Sequence, residues 1–179
     1  MTVTDTTIRP IEAAEAEARI GELADILLAC VVDGASVNFM AGLSHADAVT
    51  FWRSQMPDIA SLDKRLFVAD DGGTLVGTVL LALAPQPNAP HRAEIGKMLI
   101  HPSRRRQGLG RRLLTTAEDA ARGLGRTLLM LDTESGSAGD LLYRRCGWKE
   151  VGRVPGHAFR PNGQLAETTI FFKTLGHQR

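Results

Sequence analysis

One stretch limits the folds open to this chain more than any other. An apolar, strand-like run from Arg92 to Ile100 leads into Arg104-Arg105-Arg106-Gln107-Gly108-Leu109-Gly110-Arg111-Arg112, which holds five arginines and two glycines in nine residues. A helical pattern from Gly108 to Arg122 follows. It carries Leu109, Leu113, Leu114, Ala117, Ala120 and Ala121 on one face, and Arg111, Arg112, Thr115, Glu118, Asp119 and Arg122 on the other. Gly123 is a natural stop, and the continuous apolar run Thr127 to Leu131 reads as a strand buried on both faces. A strand, glycine loop, amphipathic helix and second buried strand call for a sheet with helices packed on it. A glycine turn that opens a helix also presents bare backbone N–H groups to an anion, and the arginines add forked donors suited to phosphate.

The rest of the chain fits a mixed α/β order. Val3 to Arg9 reads as a first strand, with Pro10 near a helix start. Ile11 to Val32 reads as a helix broken near Gly21 and ended by Gly34. Residues 44–56 form a second helix, with Ser44 as N-cap and Pro57 after its end. Leu66–Ala69 and Leu75–Ala84 are strands joined by an Asp70-Asp71-Gly72-Gly73 hairpin turn. Pro85, Pro87 and Pro90 mark a loop, Asp140–Cys146 a short helix ended by Gly147, and 148–153 and 168–173 two late strands.

With 179 residues, 44% of them apolar, the chain is expected to form a single domain over 1–179 with a real core. A formal net charge of +1 and only 5% aromatics argue against a nucleic-acid partner, since the basic charge is confined to residues 104–112. No run reaches the ~18 apolar residues of a membrane span, and the N-terminus lacks a signal-peptide core. Cys30 and Cys146 are too few and too far apart for a disulfide framework or a zinc site, and the five histidines are scattered without metal spacing. The expectation is a cytoplasmic protein without a metal.

Three phosphate-binding patterns compete for the loop. A Walker A string, G-x-x-x-x-G-K-[ST], does not occur, and the dinucleotide pattern G-x-G-x-x-G fails because Leu113 stands where its last glycine should. The pattern [Arg/Gln]-x-x-Gly-x-[Gly/Ala] is met by Arg105 to Gly110. With Leu99-Ile100-His101-Pro102 before it, Ile8-Arg9-Pro10 at the start and Leu142-Tyr143-Arg144-Arg145-Cys146-Gly147-Trp148 near the end, the chain resembles the GNAT superfamily of acetyl-CoA-dependent N-acetyltransferases. Gly34-Ala35-Ser36-Val37, Arg92-Ala93-Glu94, Leu131-Asp132-Thr133-Glu134 and Phe172-Lys173-Thr174-Leu175-Gly176 are further similar to its tabtoxin-resistance branch.

The resemblance implies a mixed, mostly antiparallel sheet of about seven strands flanked by helices, with strands 92–100 and 127–132 splayed apart. It implies acetyl-CoA as co-substrate, its diphosphate on the backbone of Arg105, Arg106, Gln107, Gly108, Leu109, Gly110 and Arg111, and its pantetheine arm along Met98, Leu99 and Ile100. It makes Tyr143 the acid for the departing thiolate; otherwise Tyr143 is a packed helix aromatic. The acceptor implied is a small amine, an amino-acid-like toxin or antibiotic, and a homodimer is the family-level expectation. Glu94 and Asp132 compete for the role of base. Glu94 precedes Met98 by about 13 Å at about 3.3 Å per residue, so a water relay or a long acceptor is needed; alternation puts the two on one face unless a bulge intervenes. Asp132 ends an apolar strand, where it could bind the acceptor's ammonium, act as base, or only close an Asx turn. Ser36, Asn38 and Phe39 either shape the acceptor pocket or form a solvent-facing loop. The loop alone would equally suit a non-catalytic acyl-CoA-binding module; the presence of Glu94, Asp132 and Tyr143 favours an enzyme.

Overall fold

The computed structural model describes residues 6–176; Val3–Asp5 of the expected first strand, and His177, lie outside the described residues. In chain order the elements are β1 (Thr7–Ile11), α1 (Ala13–Ala18), α2 (Ile20–Val32), α3 (His45–Ala60), β2 (Lys64–Asp71), β3 (Thr74–Leu83), β4 (Arg92–Ile100), a 3-10 turn (Pro102–Arg104), α4 (Leu109–Gly123), β5 (Leu128–Glu134), α5 (Ala138–Arg145), β6 (Lys149–Phe159) and β7 (Leu165–Thr174). The strands form one seven-stranded sheet in the order β1-β2-β3-β4-β5-β7-β6. Every neighbouring pair is antiparallel except β4 and β5.

Alternation along the strands sends side chains into two cores. On one face Leu109, Leu113, Leu114, Ala117 and Ala121 of α4 meet Val79, Leu81, Ala93, Ile95, Leu129 and Leu131, with Tyr143, Trp148 and Phe171 alongside. On the other, Leu23, Ile26 and Leu27 of α2 and Trp52 of α3 cover Leu66, Val68, Leu80 and Leu99. Trp52 is fully buried, and its indole N–H donates to the Leu23 carbonyl at 2.9 Å. Among the described residues no helix is long and apolar enough to cross a membrane.

Several local expectations hold. Ser44 caps α3 in a reciprocal capping box with Asp47, each backbone N–H bonded at 3.1 Å to the other's side chain. Gly72 and Gly73, with φ of 61° and 95°, make the tight turn between β2 and β3. Others need correction. Pro10 lies within β1. The first helical region breaks at Arg19, not Gly21, because the Arg19 guanidinium is drawn to Glu22 (2.7 Å), Asp70 (3.2 Å) and the Gly73 carbonyl (2.8 Å), pinning the β2–β3 turn to the helix junction. Pro57 sits inside α3, which continues to Ala60 as Ile59 packs into the core. The late strands run longer than expected, over 149–159 and 165–174.

Glu118, expected on the solvent face of α4, is buried. Its carboxylate accepts from the Trp148 indole at 2.9 Å and from the Lys173 ammonium at 2.7 Å, bridging α4, the start of β6 and β7. Removing one partner of a buried charged pair strands the other. Glu118→Ala is expected to cost about 2–3 kcal/mol, less than the about 3–5 kcal/mol of a fully buried pair, because Lys173 keeps partial solvent access and a bond to the Cys146 carbonyl at 2.8 Å. Urea unfolding should show a lower midpoint with an unchanged slope; an unmoved midpoint would mean the pair contributes nothing.

Candidate active site

The ladder between β4 and β5 holds for only three pairs, Arg92↔Leu128, Ala93↔Leu129 and Glu94↔Met130. Beyond them β4 stays with β3 as far as Ile100↔Gly77, while β5 stays with β7 as far as Glu134↔Thr168. The two parallel strands therefore splay, and the β4 edge from Ile95 to Ile100 faces the gap without a β5 partner.

A bulge marks the opening. Leu99 pairs with Thr78 and Gly96 with Leu80, so β4 carries one residue more than β3 between these points. Lys97 takes the strain with φ of 45°, and its carbonyl accepts from the hydroxyl of fully buried Thr78 at 2.8 Å. The sequence pattern has a physical reason for this. Ala93 and Ile95 point into one core, so alternation asks for an apolar residue at 97; a lysine stands there instead, and the extra residue turns it out. The bulge reverses the parity beyond it. Met98 packs with the core of Ala93 and Ile95, while Glu94 is exposed on the opposite face. The shared face that alternation gave Glu94 and Met98 is thus corrected.

The arginine-glycine loop follows. His101 Nδ1 accepts from the Ser103 N–H at 3.3 Å, ordering the 3-10 turn. Arg106 (φ 61°) and Gly108 (φ 78°) are both left-handed, and Gly108 is the N-cap of α4. Left-handed residues in such a turn are a feature of backbone anion nests. Among the described residues, the backbone N–H groups of Arg106 through Arg111 meet no protein acceptor; the first to find one is Arg112, bonded to the Gly108 carbonyl at 3.1 Å. The side chains divide. Arg104 pairs with Asp71 at 2.6 Å, and Arg105 pairs with Asp33 and donates from Nε to the Ile100 carbonyl at 3.4 Å. Arg112 donates to the Thr6 carbonyl at 2.7 Å. Three of the five arginines thus brace the loop, leaving Arg106 and Arg111 exposed at its mouth. Cys30 lies beneath, its thiol on the Ile100 carbonyl at 3.3 Å; burial pushes the thiol up in pKa, the wrong direction for a nucleophile.

Across the gap, Asp132 lies within β5 opposite Ile170, since the strand continues to Glu134. It is therefore neither a cap nor a turn residue, and its carboxylate is exposed. It shares the face of Met130, and so of Glu94, one strand over and two residues on, about 6.6 Å along the chain. Tyr143, on α5, is buried and packs against Trp148 (5.9 Å between ring centroids) and Phe171 (6.1 Å). Burial pushes its phenol well above the ordinary tyrosine range, and the Asp132 charge adds to the shift. Its hydroxyl has no hydrogen-bond partner among the described residues. Ser36, Asn38 and Phe39 lie on the segment joining α2 to α3. Asn38 is exposed in a left-handed conformation (φ 72°), and Phe39 stands edge-on to Phe51 at 5.2 Å. The sequence reading missed Lys97 and Phe51, which meet Phe39 here. The lysine inside an otherwise alternating strand was the signal that could have found the first.

Comparison with known proteins agrees with this architecture. The family model for the acetyltransferase (GNAT) family matches residues 38–148, and the chain belongs to that family. A protein described as an IAA acetyltransferase from Azospirillum brasilense is 35% identical over 95 residues, 52% of this chain; the match spans only 60% of that relative's length. Among solved structures, yncA of Salmonella typhimurium, determined with its cofactor acetyl-CoA, superposes with a TM-score of 0.74 at 20% identity, over 98% of this chain and 96% of that one. The phosphinothricin acetyltransferase of Sinorhizobium meliloti, in complex with acetyl-CoA, gives 0.76 at 19% identity, over 96% and 89%. At such identities the likeness is one of fold.

Proposed function

We propose that this chain is an acetyl-CoA-dependent N-acetyltransferase that transfers the acetyl group directly, in a ternary complex, to the primary amine of a small amino-acid-like toxin or antibiotic. The observation that carries the reading is the continuity of two features, a strand edge opened by the β4–β5 splay and a row of unpartnered amides at its far end. An exposed strand edge suits an amide-bearing arm laid along Met98 to Ile100. A helix N-terminus with a nest suits a diphosphate, with Arg106 to Arg111 supplying N–H groups, and Arg105 setting the loop through Asp33. Acetyl-CoA, when bound there, supplies an activated thioester.

The chain's own groups do the rest. An amine attacks only after losing its proton, so Glu94 and Asp132, sharing a face across the opening, draw the ammonium in and accept that proton directly or through water. Backbone N–H of Met98 or Leu99 steadies the developing oxyanion. Tyr143 keeps its proton through neutral pH and donates it to the departing sulfur. Ser36, Asn38 and Phe39 border the acceptor side. The two free thiols suit a cytoplasmic setting. The family-level expectation of a homodimer is carried with it, and sedimentation would read it directly.

Release of free thiol from acetyl-CoA, measured across a panel of amines, tests the reading. Amine-dependent release with a matching acetylated product is expected; acetyl-CoA binding without any transfer would favour a non-catalytic acyl-CoA-binding module. Tyr143→Phe is expected to lower kcat by about 10²-fold or more while acetyl-CoA affinity stays within about twofold, because only the proton is lost. An unchanged rate removes Tyr143 as the acid.

A further inference from the structure

We propose that Lys97 is the anion receptor of the acceptor site, selecting amines that also carry a carboxylate. This rests on the acetyltransferase reading above and narrows its substrate class. The backbone of Lys97 is fixed by the bulge and by the Thr78 hydroxyl. Its side chain reaches α3 and the segment before it, where the ammonium lies 5.1 Å from the Phe51 ring centroid and 5.8 Å from that of Phe39. Cation–π contacts hold a charge against the rings without supplying a neutralising anion. The single hydrogen bond it makes, to the Val37 carbonyl, is long at 3.5 Å. An ammonium has three donors, so two remain without an acceptor among the described residues.

Among the described residues no carboxylate forms an ion pair with it. Asp132 is the acidic group near enough to be felt, while Lys64 adds a like charge, and burial acts against the ammonium. A half-buried cation without a counter-ion is costly unless a ligand supplies one. The charges around the opening are then complementary to a zwitterion. Glu94 and Asp132 attract its amine, and Lys97, three residues beyond Glu94 on the same strand, attracts its carboxylate. A polyamine or a carboxylate-free amine would leave Lys97 unanswered.

The test uses wild type, Lys97→Met and Lys97→Arg with the common α-amino acids and their carboxamides as acceptors. A loss of carboxylate recognition should raise KM for the amino acids about 10-fold or more in Lys97→Met, leave KM for the carboxamides within about twofold, and be partly restored in Lys97→Arg. An equal fall in kcat on both acceptor series, or no change on either, overturns the proposal. Binding of N-acetyl amino acids and their amides, by calorimetry, separates this from the parent reading because it needs no turnover. A wild-type preference for the carboxylate form that vanishes in Lys97→Met, without acetyl transfer, would leave Lys97 standing and sink the acetyltransferase. Transfer without that preference would do the reverse.

Discussion

Gly110→Glu is expected to weaken acetyl-CoA binding by about 100-fold or more, the loss of one or two charge-assisted hydrogen bonds at about 1.5–3 kcal/mol each. Gly110 sits in the first turn of α4, amid the six amides that lack a protein acceptor. A glutamate there brings a negative charge beside the amides proposed to hold the diphosphate. The same charge is favourable to the helix, whose N-terminus attracts anions, so thermal stability should hold while affinity collapses. A Cβ at this position would stand 3.1 Å from the flexible tip of Leu142, a contact that relaxes with a small shift. Gly110→Ala is therefore the control, with affinity expected within a few-fold of wild type. Calorimetry with acetyl-CoA reads both, and a near-normal Kd for the glutamate variant would remove the loop as the diphosphate site.

The paired substitution of Glu94 by Gln and Asp132 by Asn is expected to lower kcat by roughly 10²–10⁴-fold, the usual worth of general base catalysis. The register puts both carboxylates on one face of the opening, so each can cover in part for the other. The single variants should each fall less than the pair, and non-additively. Acetyl-CoA affinity should stay near wild type, since neither residue lies on the loop. Steady-state rates against pH check the assignment. In the double variant the rate should climb with pH towards the acceptor amine's own pKa, as attack comes to depend on free amine alone. A double variant with the wild-type rate and pH profile would place proton removal elsewhere.

Much of this architecture was legible because it follows from local chemistry. The Gly72-Gly73 turn, the Ser44 cap, the one-sided α4 and the apolar β5 each announce themselves within a few residues. The splay was legible through family resemblance, not through periodicity. What escaped depends on partners far along the chain. Arg19 breaks the first helix because Asp70 and Gly73 lie across from it. Glu118 is buried because Trp148 and Lys173 come to it from other elements. Arg105 reads as a phosphate ligand in sequence, yet its guanidinium is committed to Asp33. The bulge at Lys97 decides which face Glu94 and Met98 occupy, and alternation counted through it gives the wrong answer. The candidate catalytic residues and Phe39 were named from the sequence, while Lys97 and Phe51, which meet Phe39, needed the third dimension.

Amide hydrogen exchange with and without acetyl-CoA tests the central claim most directly, since the claim concerns backbone N–H groups. Slowed exchange is expected in two segments, 96–100 along the open edge of β4 and 106–111 at the start of α4. A rival location exists in a cavity of about 610 Å³ between the start of β1 and the first turns of α4, lined by Thr7, Ile8, Arg111, Arg112 and Thr115 among others. Protection confined to residues 6–8 and 112–116 of that cavity, with 96–100 and 106–110 exchanging as in the free protein, would contradict the account.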